Sequence, residues 1–366
     1  MISMNEDQRM IVESVRRFLR EQFPFTRRQA LTSSEMGFNH NDWIEFASLG
    51  WTGMSIADEY GGFGGSEIDS LLIYRELAES LVPGPFLQSV ISACSIIQSV
   101  ADKTTKQALL PSIADGSKMF STAWFEDDDI SNVQSQLDKK GQSYCLNGCK
   151  RLVPWGMQVD QVLLTAKLSD TVVLINLPIG AQGIDALNYR FYDGQRASDM
   201  SFNNVTVNPE WIIGPVTTDQ VQSVIDLESA ALCFESSALM WAIHDQTLAY
   251  MKTREQFGQT LSSMQALQHR IVDVYVDCQL AQSMAEDAVL AAVNSLDAND
   301  TATRISAARL FIADRGKRVG KAGIQLHGGI GITNDIPIGH YFKRLSAISL
   351  LNGNSHWHRQ RFLDHS

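Results

Sequence analysis

Apolar positions change their period twice along this chain. Behind Asn5, the residues Met10, Ile11, Val15, Phe18 and Leu19 recur at helical spacing, which predicts a helix capped by Asn5 and stopped by Pro24. A second helix is expected to open at His40 or Asn41, run through Trp43, Phe46, Ala47 and Leu49, and close at Gly50. The stretch Asp58-Glu59-Tyr60-Gly61-Gly62-Phe63-Gly64-Gly65 is too rich in glycine for regular structure. An apolar-periodic helix follows from Ser66 to about Leu81, ended by Pro83-Gly84-Pro85. Near residue 116 helical spacing gives way to short β-branched runs around Tyr144 and Leu146, from Gln161 to Ala166, from Thr171 to Ile175 and from Asp199 to Val207. From Asp219 the helical period returns and holds nearly to the end. The pattern predicts an α+β, mainly α protein. Its expected parts are an N-terminal helical domain over residues 1–115, a small central β domain over 116–216 and a C-terminal four-helix bundle over 217–366.

Composition narrows the class without naming a chemistry. The 366 residues are 44% hydrophobic and 19% charged, as in a globular protein with a large core. A net charge of −11 speaks against a surface built to neutralise nucleic-acid phosphates, although a local nucleotide pocket needs only two or three basic residues. The five cysteines are odd in number and scattered, and no Cys or His pair completes a zinc site beside Cys145 and Cys149. Met1 leads into polar Asn5-Glu6-Asp7-Gln8, and no run of eighteen apolar residues occurs, so a cytoplasmic protein with neither signal core nor membrane span is expected.

Two stretches carry candidate chemistry. Tyr250-Met251-Lys252-Thr253-Arg254-Glu255-Gln256-Phe257-Gly258 runs off a helical pattern into a turn that sets a guanidinium beside an aromatic ring. Ile324-Gln325-Leu326-His327-Gly328-Gly329-Ile330-Gly331-Ile332 places paired glycines where a backbone can approach a phosphate or another chain without Cβ interference. In this order, and within a helical half, they resemble the flavin-holding elements of the acyl-CoA dehydrogenase family. The order helical, β, helical agrees with that family over the whole chain. The resemblance implies a flavin adenine dinucleotide (FAD) cofactor and an acyl-CoA substrate. A carboxylate would remove the α-proton of the thioester, the flavin would take the β-hydride, and electron-transfer flavoprotein would take the electrons onward. It places Arg254, Gln256 and Phe257 against the pyrophosphate and adenosine of a flavin held by a neighbouring subunit, with Gln325, Gly328 and Gly329 as a second contribution. For Arg254 alone, pairing with Glu255 or capping of helix carbonyls is the bland alternative.

The departures from the family are as informative. Where it reads Tyr-Glu-Gly-Thr and uses the glutamate as base, this chain reads Leu351-Asn352-Gly353-Asn354, and an amide cannot accept a proton as a carboxylate does. Some members place the glutamate on the helix opening the C-terminal bundle, a position that falls on Glu228 by register from Arg254. Glu235 lies two turns on, on roughly the same face, and is expected to be salt-bridged; for Glu228, ion pairing and catalysis stand level. Leu146-Asn147-Gly148-Cys149-Lys150 resembles the family's Leu-Asn-Gly-x-Lys hairpin, but the flavin-facing Trp-Ile-Thr that normally follows reads Leu152-Val153-Pro154. Val153 and Asn354 keep positions expected to touch the cofactor, while Pro154 lacks the hydroxyl and the N–H. Thr122-Ala123-Trp124-Phe125-Glu126 stands where Leu-Thr-Glu-Pro usually begins, and Asp127-Asp128-Asp129, expected to be a solvated loop, replaces Gly-Ser-Asp. Gly339 to Leu345 and Gly353 to Arg359 resemble the small subunit of pimeloyl-CoA dehydrogenase and related hetero-oligomeric bacterial enzymes. His356 and His358 are spaced wrongly for two metal ligands on one helix face and are expected to be structural or nucleotide contacts. Three readings follow: a base-lacking small subunit working with a second dehydrogenase-like chain, a self-associating enzyme with Glu228 as base, and a non-catalytic binding protein on the same fold.

Overall fold

A computed structural model of the chain describes residues 2–127, 129–294 and 297–366. Six helices come first: α1 (Glu6–Gln22), α2 (Phe25–Ser33), α3 (His40–Ser48), α4 (Glu67–Glu79), α5 (Cys94–Val100) and α6 (Lys103–Ala114), with a π-helical turn (Leu87–Ala93) leading into α5. Eight strands follow: β1 (Phe120–Ala123), β2 (Gln136–Lys140), β3 (Ser143–Pro154), β4 (Gln161–Leu168), β5 (Thr171–Pro178), β6 (Ile184–Arg190), β7 (Arg196–Val207) and β8 (Ile212–Pro215). The last part holds α7 (Thr218–Thr253), the short strands β9 (Glu255–Gln256) and β10 (Gln259–Thr260), then α8 (Gln265–Val293), α9 (Ala298–His327), α10 (Ile338–Ile348) and α11 (Ser355–His365).

The local signals mostly act as expected. Asn5 caps α1 through a reciprocal box with Gln8, each side chain meeting the other's backbone N–H. Helix α3 opens at His40, one of the two expected starts, and its cap is the residue before. Asn39 holds the extended backbone of a cap, and its side chain accepts from the Asn41 N–H at 2.8 Å. The glycine-rich stretch contains one short 3₁₀ turn (Asp58–Tyr60), and α4 starts one residue after Ser66 and stops before Leu81, whose φ of 54° breaks the helix.

The chain divides into two compact units, one holding residues 29–70 and 83–225 and the other residues 1–28, 71–82 and 226–366. In the first, seven strands lie in the order β6-β7-β3-β2-β4-β5-β8, and β1 pairs in parallel with β4. Its core joins Ile96, Ile97, Leu110 and Ile113 from the helices to Phe120, Leu163 and Leu174 from the sheet. The Leu146-Asn147-Gly148 stretch is not a hairpin tip: it lies inside β3 at a bulge opposite β7. The side-chain carbonyl of Asn147 accepts from the Asn204 N–H there at 2.8 Å. At Gly148, φ is 146° and an added Cβ would stand 2.6 Å from the Ser135 Cα, so only glycine fits. The hairpin itself turns between Lys140 and Ser143.

The second unit is helical. Residues 226–240 of α7 are buried without interruption, which leaves α7 without a solvent face over those turns. Apolar residues of α8 (Val274, Cys278, Ala281, Val289) and α9 (Ile305, Ala308, Ile312, Val319) are buried at helical spacing. Among the described residues no helix is long and apolar enough to cross a membrane.

Candidate active site

The two singled-out stretches form one exposed face of the helical unit. Helix α7 ends at Thr253, and the chain reverses in a two-residue turn between Gln256 and Gln259. Phe257 and Gly258 both take positive φ, 53° and 77°, the left-handed pair that a tight hairpin requires. The turn leaves the Phe257 ring 94% exposed. Arg254 is pinned by its backbone, donating to the Tyr250 carbonyl at 2.9 Å and accepting from the Leu261 N–H at 2.9 Å. Its guanidinium is exposed and has no partner among the described residues, so neither Glu255 nor a helix carbonyl holds it.

The second stretch closes α9. Gly328 takes φ 63° and ψ −142°, open only to glycine, and nothing lies within 4 Å of a Cβ added to Gly328 or Gly329. Gln325 is exposed beside them. The stretches meet through a ring pair: Tyr250 stacks on His327 with centroids 4.5 Å apart and planes at 21°. The His327 ring donates its Nδ1–H to the Gly323 carbonyl at 2.9 Å, and burial lowers its pKa. An unengaged cation, open glycine backbone and an exposed aromatic ring suit a dianionic, planar dinucleotide.

Deeper in the same unit, acids of α7 meet the last part of the chain in reverse order. Glu235 takes a bidentate fork from Arg344, at 2.6 and 2.8 Å, and the Tyr74 hydroxyl at 2.5 Å. Asp226 takes a second fork from Arg361, at 2.6 and 2.7 Å. Between them, Glu228 accepts the side-chain amide of Asn352 at 2.9 Å. Glu235 is therefore a buried ion-pair member. At Glu228 the group that Asn352 supplies is neutral. Asn354 does a helix-capping job, its side chain accepting from the His356 and Trp357 N–H groups at 2.9 and 3.1 Å. His356 is exposed, whereas His358 is buried and its pKa falls to about 2, chiefly through burial and then through the nearby Arg309 and Arg361. Both ring nitrogens of His358 have internal partners, Ser306 at 3.4 Å from Nδ1 and Arg309 at 3.3 Å from Nε2, so the ring is structural.

The sheet unit carries a pair that periodicity does not reveal. Lys150 is fully buried and its ammonium donates to Glu126 at 2.6 Å and to the Thr165 hydroxyl at 3.0 Å. The other Glu126 oxygen accepts the N–H groups of Gln134 and Ser135 at 2.7 and 3.0 Å. Burial lowers the Lys150 pKa against the opposing pull of Glu126. The pair ties the segment after β1 to β3 just before Leu152, which has φ 53° at a register shift in the ladder. Val153 is wholly buried, and the Pro154 carbonyl accepts the Ser121 hydroxyl. Asp127 and Asp129 are exposed, and Asp128 lies outside the described residues. The signal available in the sequence was Lys150 itself, an ammonium between strand residues Cys149 and Arg151 with Glu126 upstream.

Residues 5–117 match the N-terminal domain of acyl-CoA dehydrogenase, and residues 218–365 match its C-terminal domain. The chain belongs to the acyl-CoA dehydrogenase family. As a member of that family it is a flavin-dependent oxidoreductase acting on acyl-CoA, with FAD as its cofactor. Mitochondrial isovaleryl-CoA dehydrogenase of Pongo abelii is 24% identical over 96% of this chain and 86% of its own length. Among solved structures, a glutaryl-CoA dehydrogenase from Mycobacterium smegmatis in complex with FADH2 is 19% identical at a TM-score of 0.89, covering 99% of this chain and 94% of its own. The ChsE4–ChsE5 complex from Mycobacterium tuberculosis gives 20% identity and a TM-score of 0.88 over 99% and 97%. At these identities the structural likeness speaks for the acyl-CoA dehydrogenase fold.

Proposed function

We propose that this acyl-CoA dehydrogenase works as the small subunit of a hetero-oligomer, offering a nucleotide-holding face to a second dehydrogenase-like chain that supplies the base. One contrast carries this reading. The outward face is complete, with Arg254 unengaged and Gly328 and Gly329 open, while the family's base position is an amide already committed to Glu228. Arg254 would hold the pyrophosphate, Gln256, Gln325 and the two glycines would border it, and Phe257 would cover the adenosine. Val153 and Asn354 are left to contribute through backbone, since one is buried and the other spends its side chain on a helix cap. When bound, the flavin supplies the redox step, and electron-transfer flavoprotein fits as the onward acceptor. The ChsE4–ChsE5 complex among the structures with this fold supports a paired assembly. A cytoplasmic location agrees with the absence of a membrane-crossing helix among the described residues.

A second reading has its own observation. Asn352 brings the usual base position within 2.9 Å of Glu228, so a carboxylate does lie at that place. In this reading Glu228 takes the α-proton and Asn352 fixes its direction. Purification alone and with the second chain separates the two. The small-subunit reading expects flavin and turnover only in the co-expressed complex. Arg254→Ala there should weaken flavin binding by roughly 10- to 150-fold, from the loss of a charge-assisted bond worth about 1.5–3 kcal/mol. Stoichiometric flavin in the chain alone, with turnover abolished by Glu228→Gln, would replace it with the second reading.

A further inference from the structure

We infer that Arg309 is the positioning residue for the Asn352–Glu228 contact, holding the turn that carries Asn352 by its backbone carbonyls. This rests on the reading that sets Asn352 and Glu228 at the reacting end of the site. Arg309, on α9, is 5% exposed, yet its hydrogen bonds include no carboxylate. One terminal nitrogen donates to the Ile348 carbonyl at 2.9 Å and to the Leu351 carbonyl, and Nε donates to His358 Nε2 at 3.3 Å. The first of these carbonyls ends α10, where a cation is favoured by the helix dipole. The second belongs to the residue immediately before Asn352.

The rest of the turn is fixed as tightly. Asn352 takes φ 51°, a left-handed conformation that asparagine tolerates, and Gly353 takes φ 102°. A Cβ at Gly353 would stand 2.6 Å from the Trp357 ring and 3.3 Å from His358 Nε2. Leu351 is held on one side and Gly353 wedged on the other, and the Asn352 side chain between them donates to Glu228. His358 must stay neutral for Nε2 to accept from Arg309, and its burial beside two guanidiniums keeps it so. Core packing alone does not call for this arrangement. Burying a guanidinium is costly, and Arg309 spends its donors on two carbonyls of one turn and a histidine ring, not on a carboxylate. The cation is there for the carbonyls, and the carbonyls fix the turn.

The test reads the Asn352 side-chain amide of the full-length chain by nuclear magnetic resonance, with 15N-labelled asparagine and the signal assigned by its absence in Asn352→Gly. In the native background, Glu228→Gln should shift that amide. In an Arg309→Met background the same substitution should no longer move it, and Arg309→Lys, which keeps the charge and reaches one carbonyl, should restore part of the response. A role confined to stability would lower the unfolding midpoint and leave the response intact, which would overturn the inference. Should Arg309→Met fail to fold, Arg309→Lys decides: a reduced response supports positioning and a full response refutes it. Turnover of Glu228→Gln in the co-expressed complex tests the underlying reading separately, because the amide response does not depend on activity.

Discussion

Tyr250 stacks face to face on His327, and through that ring pair the end of α7 and the end of α9 become one surface. The two flavin-holding stretches are more than seventy residues apart in the chain, so neither can set the other's position locally. Stacking also places the turn bearing Arg254 beside the open glycines. Tyr250→Ala should therefore weaken flavin binding a few-fold, as expected for losing an aromatic pair worth about 0.5–1.5 kcal/mol, although Tyr250 itself is no phosphate ligand. Tyr250→Phe should bind as the native chain does. Flavin fluorescence titration of the assembled protein reads both.

The buried pair Lys150–Glu126 predicts a marked asymmetry between single and double substitutions. Lys150→Met leaves Glu126 buried with only its two backbone donors and should cost about 3–5 kcal/mol in urea unfolding. Lys150→Met with Glu126→Gln removes both charges together and should recover a large part of that loss. A double variant as unstable as the sum of the singles would show the two groups do not act as a pair.

Restoring a carboxylate at the family's base position should not restore a base. Asn352→Glu forces a longer side chain into a left-handed backbone at about 1–2 kcal/mol and sets it against the Glu228 carboxylate. We expect lower stability and no dehydrogenation by the isolated variant, since under the proposed reading Pro154 and the missing Gly-Ser-Asp segment would also leave the flavin and thioester poorly oriented. An assay over a range of acyl-CoA esters with an artificial electron acceptor checks this.

Acid should destabilise the chain through His358. Its folded pKa is near 2 and its unfolded value near 6.5, so below pH 6.5 the unfolded chain binds a proton that the folded chain refuses. Stability attributable to this group is complete above pH 6.5 and falls by about 1.4 kcal/mol per pH unit on going below it. His340, lowered to about 4 chiefly by burial, and His327 act in the same direction. His358→Gln should flatten the slope between pH 6 and pH 4 by one proton in chemical denaturation. An unchanged slope would mean that His358 protonates in the folded state.

The residues alone determined the succession of helices, strands and helices, because period and capping are local: Asn5 closes its box with Gln8, and the apolar spacing along α7 to α9 is written in consecutive turns. The motif Arg-Glu-Gln-Phe-Gly likewise told of a turn, and the structure makes it a tight hairpin in which Phe257 and Gly258 form the left-handed pair. Other matters were decided only when distant segments met. Lys150 found Glu126 and Glu235 found Arg344, each pair brought together by burial, where an ionised group is stable only beside its counter-charge. The bulge at the Leu-Asn-Gly stretch, which lies in the β3 arm of the β2–β3 hairpin, was set by its pairing with β7, which no local pattern encodes. Whether Asn352 merely lacks the chemistry of a base or directs one likewise depended on Glu228, 124 residues away, reaching its amide across the bundle. Side-chain contacts of that kind arise from packing, and sequence spacing carries no record of them.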